Sequence, residues 1–464
     1  MLEGLEISEV KLSDLDSYKR IDAELFNKNY VLFKSAIKQI AYTTFADECR
    51  VIRKGIFNVN SDCYCNKGVP FVRISNLDSM IIDTKDMVYI PSEVHKDNLK
   101  TELKRGDIVL SKTAIAAASI VNLDYCNVSQ DIVAIKLNTN SKVLSHYVVV
   151  FLNTIYGNEQ LQRRFTGNVQ MHLNLEECKN EVMIPVFPIQ FQLKIKTIFE
   201  KAIQLLSQSQ TLYLEAQKLL LENLNDWQHK KNQVNVKSLK ESFLSSGRLD
   251  AEYYLPVYED LFNLLKQYKT TTLGNVVAIQ KSIEPGSNCY LKEGAPFVRV
   301  ADLTKFGIAK PSIFLDKDIF KDVIRPKQDT ILMSKDGSIG IAYKVEKDED
   351  FITSSAILHL QIIDNNILPD YLTLVINSKV VQMQAERDAG GSIIQHWKPS
   401  EISNVVIPIL PMEKQQEISQ KVQESFRLRN ESKHLLNVAK TAVEIAIGES
   451  EEAALEYLKE NENG

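Results

Sequence analysis

The chain has 464 residues, of which 44 % are hydrophobic and 25 % are charged, with only 17 glycines and 13 prolines. This composition excludes collagen-like, mucin-like and wholly disordered proteins, and the length indicates two to four domains. The formal net charge is −5, but seven glutamates and one lysine after Val443 contribute −6, so residues 1–443 are close to neutral. Charge alone therefore neither supports nor excludes a nucleic-acid partner.

No address or membrane anchor is readable in the sequence. Glu3, Glu6 and Glu9 stand where a signal or transit peptide would carry basic residues. The longest apolar runs are much shorter than the 18 or more residues that a membrane-spanning helix needs. We therefore expect a cytoplasmic protein without a membrane partner.

An internal repeat organises the chain. Five segments of the first half recur in the same order in the second half, at offsets of 222 to 228 residues. Such self-similarity predicts two copies of one structural unit of about 225 residues. The pairs are YKRIDAELF (from Tyr18) and SGRLDAEYY (Ser246), KGVPFVRISNL (Lys67) and EGAPFVRVADL (Glu293), GDIVLSK (Gly106) and QDTILMSK (Gln328), TGNVQMHL (Thr166) and GGSIIQHW (Gly390), and IPVFPIQFQ (Ile184) and IPILPMEKQ (Ile407).

The first paired segment is offset from the ends of the chain. It stands before everything else in the first copy, whereas its counterpart at 238–265 follows the first long helix. We therefore predict that residues 1–33 form a helical segment that packs on the C-terminal helix. Arg20 and Glu24 lie four residues apart, so within this helical segment we expect them to form an ordinary surface pair.

Two β-rich regions follow this pattern. Short apolar runs such as PFVRIS, DIVLSK and DIVAIKL alternate with glycine, asparagine and aspartate, which is typical of mixed α/β domains. We place the first domain at 34–188 and the second at 266–411.

A long helix is predicted after each β-rich region. From Ile189 to Trp227 there is no proline or glycine, and apolar residues keep a three-four spacing that is typical of a coiled-coil seam. The second helix, from Met412 to about Ile447, keeps this rhythm with interruptions at Ser425, Arg429 and Ser432. The predicted fold is α/β (α+β), with two pseudo-twofold-related α/β domains and two long coiled-coil helices that pair with each other. The helical regions are 189–265 and 412–464, and the latter ends in an acidic tail.

Catalytic and metal-binding motifs are missing from the sequence. It contains no G-x-G-x-x-G, P-loop, H-E-x-x-H or G-x-S-x-G pattern, and Cys63 and Cys65 are too close together for a C-x2-C zinc ligand pair. Glu102 and Lys104, with Asp97 upstream, only faintly resemble a nuclease E-x-K motif, and the second copy has no equivalent. We predict no catalytic residues and no metal.

Two repeated loops carry candidate ligand-binding side chains. In the segments after Thr166 and Gly390, a glycine turn precedes Gln170 and His172 in one copy and Gln395 and His396 in the other. Glutamine can read an adenine edge and histidine can donate to phosphate or base. Equally, these side chains can cap the next helix and the histidine can be structural.

The second repeated loop follows the strands GDIVLSK and QDTILMSK. It places Lys112 and Lys335 at a strand end, where a lysine suits phosphate contact. The next residues differ, Thr113 in one copy and Asp336 in the other, as expected for loops that read different sequences.

In the order and duplication of these blocks, including Leu273 and Gly274 before the second β-rich region, the chain resembles the specificity (S) subunit of type I restriction–modification systems. The resemblance implies that each β-rich region is a target recognition domain for one half of a bipartite DNA site. It also implies that the two long coiled-coil helices are antiparallel and separate the two domains. The residues that we predict to bind DNA are Arg73, Lys112, Thr113, Gln170, His172, Arg299, Lys335, Asp336, Ser338, Gln395 and His396. The first copy departs from the pattern, since Ala114 stands where the second has Gly337.

The resemblance also implies partners. They are double-stranded DNA, two DNA methyltransferase subunits and, through these, restriction/translocase subunits. The chain contains no N-P-P-Y or D-P-P-Y tetrapeptide, so S-adenosylmethionine is expected on the methyltransferase and no cofactor on this chain. Two other possibilities stay open: a nuclease or methyltransferase fused to recognition modules, and a coiled-coil scaffold that binds no DNA.

Overall fold

The computed structural model describes residues 9–12, 15, 20–21, 25–78, 80–113, 117–166, 172–224, 235–389 and 395–462. It divides into two compact units. Unit 1 comprises residues 1–206 and 430–464, and unit 2 comprises 207–429. The first and last segments of the chain thus belong to the same unit.

Unit 1 contains the first mixed α/β domain. Its helices before the central helix are α1 (Lys28–Lys38), α2 (Phe45–Glu48), α3 (Ser92–Lys96), α4 (Ser145–Leu152), α5 (Ile155–Gln162) and α6 (Leu175–Glu181). Its strands are β1 (Tyr42–Thr44), β2 (Cys49–Lys54), β3 (Val69–Val72), β4 (Leu77–Asp78), β5 (Ile81–Ile82), β6 (Val88–Ile90), β7 (Leu103–Lys104), β8 (Ile108–Ser111), β9 (Ala118–Ile120), β10 (Tyr125–Val128), β11 (Ile132–Leu137), β12 (Phe165–Thr166), β13 (His172–Leu173) and β14 (Met183–Pro185).

The central helix α7 (Ile189–Glu222) leads to the second α/β domain, in unit 2. Its helices are α8 (Phe243–Ser246), α9 (Pro256–Leu265), α10 (Leu273–Val276), α11 (Pro369–Ile376), α12 (Lys379–Asp388) and α13 (Pro399–Ser403). Its strands are β15 (Thr270–Thr272), β16 (Val277–Lys281), β17 (Ala295–Val298), β18 (Leu303–Thr304), β19 (Gly307–Ile308), β20 (Phe314–Leu315), β21 (Ile331–Ser334), β22 (Ala342–Lys344), β23 (Ile352–Thr353), β24 (Ile357–Ile362) and β25 (Val406–Pro408). The chain ends with α14 (Met412–Gly448) and α15 (Glu451–Asn461).

The two domains share the order of the first four strands of their main sheets, and the sheet of unit 1 has two further strands. The main sheet of unit 1 has the strand order β2-β11-β8-β9-β5-β4, and that of unit 2 has the order β16-β24-β21-β22. A smaller sheet contains one parallel pair, β3 with β10 in unit 1 and β17 with β23 in unit 2. The predicted mixed α/β class is confirmed in both copies.

Helices α7 and α14 form the predicted seam within each unit. In unit 1, Phe191, Ile195 and Phe199 of α7 join one apolar core with Leu435 and Ala439 of α14. In unit 2, the hydroxyl of Ser425 donates to the backbone oxygen of Ser209 at 2.7 Å, and Lys421 pairs with Glu215 at 2.7 Å. Partner numbers fall as the α7 number rises, so the helices of unit 2 are antiparallel.

The serines of α14 do not interrupt the seam, contrary to the sequence-based expectation. Ser425 and Ser432 are buried, and Ser432 donates to the backbone oxygen of Ala202 at 2.7 Å within unit 1. A serine hydroxyl can donate a hydrogen bond to a backbone carbonyl of the facing helix. A serine can therefore occupy a buried seam position at little cost in free energy.

The acidic C-terminal segment forms α15. Ala454 and Leu458 of this helix are fully buried in the core of unit 1, and the Ser450 hydroxyl caps its first turn. Glu452, Glu456 and Glu460 are exposed, as expected for the outer side of an amphipathic helix. The predicted acidic tail is therefore a packed element.

The N-terminal segment is anchored on the first domain. Arg20 donates to the backbone oxygen of Arg163 at 2.8 Å and pairs with Glu177 at 3.1 Å. The ring of Phe33 on α1 lies 4.9 Å from that of Tyr156, whose hydroxyl also approaches Gly448 at the end of α14. Direct packing of residues 1–33 on the C-terminal helix stays a prediction.

The expected pair between Arg20 and Glu24 lies outside the described residues, because Glu24 is not among them. In the second copy, Arg248 donates to the backbone oxygen of Asp388 at 2.8 Å and pairs with Asp250 at 2.7 Å. Asp250 is extended and directly precedes a 3-10 turn at Ala251–Tyr254, so this arginine has no partner four residues along a helix.

Two general properties of the described chain bear on function. None of its helices combines the length and the apolarity needed to cross a bilayer. Within the same residues, no group of three or more histidine, cysteine, aspartate or glutamate side chains is arranged to hold a metal ion.

Candidate functional site

The two repeated loops identified in the sequence meet in unit 1. Thr113 forms an antiparallel bridge with His172, and the backbone amide of Leu173 donates to the backbone oxygen of Lys112 at 2.8 Å. These two backbone contacts join the lysine loop to the segment that begins at His172, and we call the pair of contacts the clamp. Gln170 lies outside the described residues.

The same clamp is present in unit 2. Asp336 forms an antiparallel bridge with His396, and the amide of Trp397 donates to the backbone oxygen of Lys335 at 2.9 Å. A further bond joins the amide of Gly337 to the backbone oxygen of Gln395 at 2.9 Å. Gly337 has φ +73°, a backbone conformation that residues with a Cβ rarely adopt. This turn therefore favours glycine.

Side chains at the two clamps differ in charge. In unit 2, Nδ1 of His396 lies 2.9 Å from Oδ1 of Asp336, and Lys335 forms an ion pair with the same carboxylate. The imidazole of His396 is 65 % exposed, so it can also contact a ligand. In unit 1, Thr113 is buried and His172 is half-buried.

Lys112 is a partly buried cation. Burial lowers the pKa of its ammonium group, the nearby charge of Lys54 lowers it further, and Asp131 opposes the shift. Lys54 and Lys112 thus form a local concentration of positive charge at one end of the main sheet. Such a pair is suited to an anionic ligand such as phosphate.

A third loop joins each clamp, and no pattern in the sequence singled it out. In unit 1 this third loop contains Ser129 and Asp131. The backbone oxygen of Asp131 accepts a hydrogen bond from the amide of Lys112, and Ser129 forms a parallel bridge with Ile56. In unit 2 the backbone oxygen of Ala356 accepts a hydrogen bond from the amide of Lys335, and Ser354 forms a parallel bridge with Ile283. In each unit, we call the surface formed by these loops the loop face. It consists of residues 53–57, 112–113, 129–131 and 172 in unit 1, and of 280–284, 335–336, 354–356 and 396 in unit 2.

The loop face of unit 1 borders an open groove of about 440 Å³. Basic side chains in its lining are Arg53, Lys54 and Lys100, with Asp97 as the acidic one. Phe57 also lines it and is 72 % exposed. A basic groove with an exposed aromatic ring is a common arrangement for nucleic-acid contact.

The backbone amides of both arginines in the PFVR blocks have partners within their own domain, and so does the guanidinium of Arg73. In unit 1, the guanidinium of Arg73 donates to the backbone oxygen of Asp86 at 2.8 Å and lies 5.7 Å from the ring centre of Tyr64. In both copies the arginine backbone amide is fixed by a side chain three residues on, Asn76 for Arg73 and Asp302 for Arg299. These contacts order a turn, and a role of Arg73 and Arg299 in DNA binding stays a prediction.

The other predicted residues fall in different places. Gln395 is exposed, and the backbone oxygen of Ser338 accepts the hydroxyl of Ser334 at 2.5 Å, which closes the lysine loop. Glu102 of the E-x-K pattern pairs with His95 at 3.2 Å and with Lys104 at 3.5 Å. This carboxylate therefore has its partners within its own domain.

Replacing Trp397 by alanine is expected to lower the free energy of unfolding by about 3–5 kcal/mol, because its side chain is 1 % exposed and large-to-small core changes leave a cavity. Denaturant unfolding followed by far-UV circular dichroism measures the change. Ile363→Ala, at an exposed position of the same unit, is the matched control and should alter stability by less than about 0.5 kcal/mol. Equal effects of the two changes would contradict the structural role of Trp397.

Part of the chain matches a known protein family. Residues 266–438 match the family described as the type I restriction modification DNA specificity domain. The second repeat of the chain is therefore similar to that family, which confirms the resemblance found in the sequence.

Two solved structures of S subunits also match the chain, at low identity. The S subunit of a type I restriction–modification system from M. genitalium is 13 % identical, covers 88 % of this chain and 96 % of its own, and has a TM-score of 0.42. The HsdS subunit from Thermoanaerobacter tengcongensis is 14 % identical, with coverages of 88 % and 97 % and a TM-score of 0.29. Because both scores are below 0.5, the fold assignment rests on the strands and helices described above. A comparison with curated protein sequences finds no match.

Proposed function

We propose that this chain is the DNA sequence-specificity subunit of a type I restriction–modification system. In this proposal each α/β domain reads one half of a bipartite duplex DNA target through its loop face. The chain docks two DNA methyltransferase subunits and, through them, restriction/translocase subunits. It performs no chemistry itself, and S-adenosylmethionine is bound by the methyltransferase in the cytoplasm of the host.

The observation that carries the proposal is a shared framework with different side chains. The same bridges hold the loop face in both units, Thr113 with His172 and Asp336 with His396. Backbone bonds between strands do not depend on side-chain identity, so they keep the framework constant while the exposed residues change. Two readers of different DNA sequences require this combination of constancy and variation.

Methylome sequencing of a host that expresses the chain with its methyltransferase tests the proposal. We expect methylated bases within a split motif, absent when the methyltransferase is expressed alone. Methylation that does not depend on the chain, or that occurs in a continuous motif, would contradict it. Methyl transfer or DNA cleavage by the isolated chain would instead favour a fused enzyme.

The isolated chain is expected to bind duplex DNA much more weakly than the complex with methyltransferase does. The reason is the near-zero net charge of residues 1–443, since neutralised phosphates release counterions and these supply much of the affinity. Fluorescence anisotropy at two salt concentrations measures both affinities and their salt dependence. Equal affinities would show that the partner is not needed, and absence of sequence preference in the complex would favour the scaffold alternative.

A further inference from the structure

Phe57 and Glu284 occupy equivalent positions on the two loop faces. Each follows an isoleucine that forms a parallel bridge with a serine, Ile56 with Ser129 and Ile283 with Ser354. Both side chains are exposed. The position is therefore held by the same backbone framework in each unit while its chemistry is apolar in one and anionic in the other.

The backbone that presents Phe57 is closely constrained. A Cβ on Gly55 would lie 2.2 Å from the backbone oxygen of Ser129, so the chain crosses this turn where only glycine fits. Asn58, on the other side of Phe57, has φ +61°, a conformation that asparagine tolerates better than most residues. Ile56 is buried. A large apolar ring is thus exposed from a rigid support beside basic side chains, where it adds nothing to the core.

Glu284 is a carboxylate on a surface proposed to meet a polyanion. Its Oε2 accepts the hydroxyl of Ser355 at 3.1 Å, which orients the side chain. A carboxylate repels phosphate, so it can favour DNA binding only where it accepts a hydrogen bond from a base. The amino group of cytosine in the major groove is the usual donor to glutamate.

We propose that positions 57 and 284 determine the specificity of the two half-sites. Phe57 makes apolar contact with a thymine methyl group, and Glu284 accepts a hydrogen bond from the amino group of a cytosine. This inference rests on the proposed function and deepens it, since it assigns one base of each half-site to one residue of the chain.

The test uses the whole complex with methyltransferase and two variants, Phe57→Ala and Glu284→Gln. Because a residue that reads a base acts at one position, Glu284→Gln should relax the preference for cytosine at that position about tenfold. Phe57→Ala should relax the preference for thymine at one position of the other half-site. Methylome sequencing, with competition by oligonucleotides altered at each base, reads both effects.

Matched controls are Glu386→Gln on α12 and Leu32→Ala on α1, which make similar changes at exposed positions away from the loop face. They should leave both half-sites unchanged. If Phe57→Ala and Glu284→Gln also leave them unchanged while the parent methylates a split motif, the inference fails and the proposed function stands. Uniform loss at both half-sites would equally overturn the inference, because a residue that reads a base acts at one position. A parent complex that methylates no split motif would overturn the proposed function itself.

Discussion

A complex whose chain carries one additional heptad in both α7 and α14 is expected to methylate the same two half-sites with a longer gap. Seven helical residues add about 10 Å, which corresponds to about three base pairs of duplex DNA. The insertions duplicate residues 200–206 of α7 and 430–436 of α14, next to the boundaries of the two units. A whole heptad repeats the seam pattern, so the buried contacts of each helix are preserved. Methylome sequencing gives the gap directly.

The control places the heptad in α7 alone. It would shift one side of the seam against the other and separate Ser209 from Ser425, whose hydroxyls lie 3.1 Å apart in unit 2. Loss of stability and of methylation is expected for this variant. An unchanged gap with both heptads present would show that these helices do not set the spacing of the target.

Circular permutation is expected to preserve specificity only if α15 is retained. Both ends of the chain belong to unit 1, so joining them requires no transfer of an element between units. The permutant begins at Asn235, runs to Gly464, continues through a flexible glycine-serine linker of about 20 residues, and then from Met1 to Val234. Such a linker spans about 25 Å on average. The domains change order in the sequence while each keeps its own contacts.

A second permutant that ends at Gly448 before the linker removes α15. It uncovers the apolar surface that Ala454 and Leu458 now cover in unit 1, and we expect it to lose on the order of 3 kcal/mol of stability. Thermal unfolding and methylome sequencing of both permutants measure the difference. If the trimmed form were as stable as the complete one, α15 would contribute nothing to the core. If the complete form were folded but directed methylation elsewhere, residues 1–33 would have a role other than completing unit 1.

The sequence by itself determined the elements whose signals are local or repeated. The three-four spacing places the second long helix from Met412 to about Ile447, and the structure has it at Met412–Gly448. The repeat marks the lysine loops and the glycine-turn segments as related pairs before any contact is known. These features are readable because helical periodicity and duplication are both encoded along a continuous stretch of chain.

Only the tertiary structure decided which segments meet. The bridge between Asp336 and His396 joins residues that are 60 positions apart, and no local pattern specifies such a pairing. Phe57 and Glu284 look like ordinary loop residues in the sequence, and they gain significance because each follows an isoleucine bridged to the turn behind the lysine loop. Long-range backbone hydrogen bonds carry no side-chain signature, so the loop face is visible only in the folded chain.

The same reason explains where the sequence misled. Ser425 and Ser432 break an apolar pattern, yet each finds a carbonyl on the facing helix, and that partner belongs to a stretch more than 200 residues earlier. The glutamates after Val443 suggest a solvated tail, whereas Leu458 among them is fully buried. Residue type sets what a side chain can satisfy, and the fold supplies or withholds the partner that satisfies it.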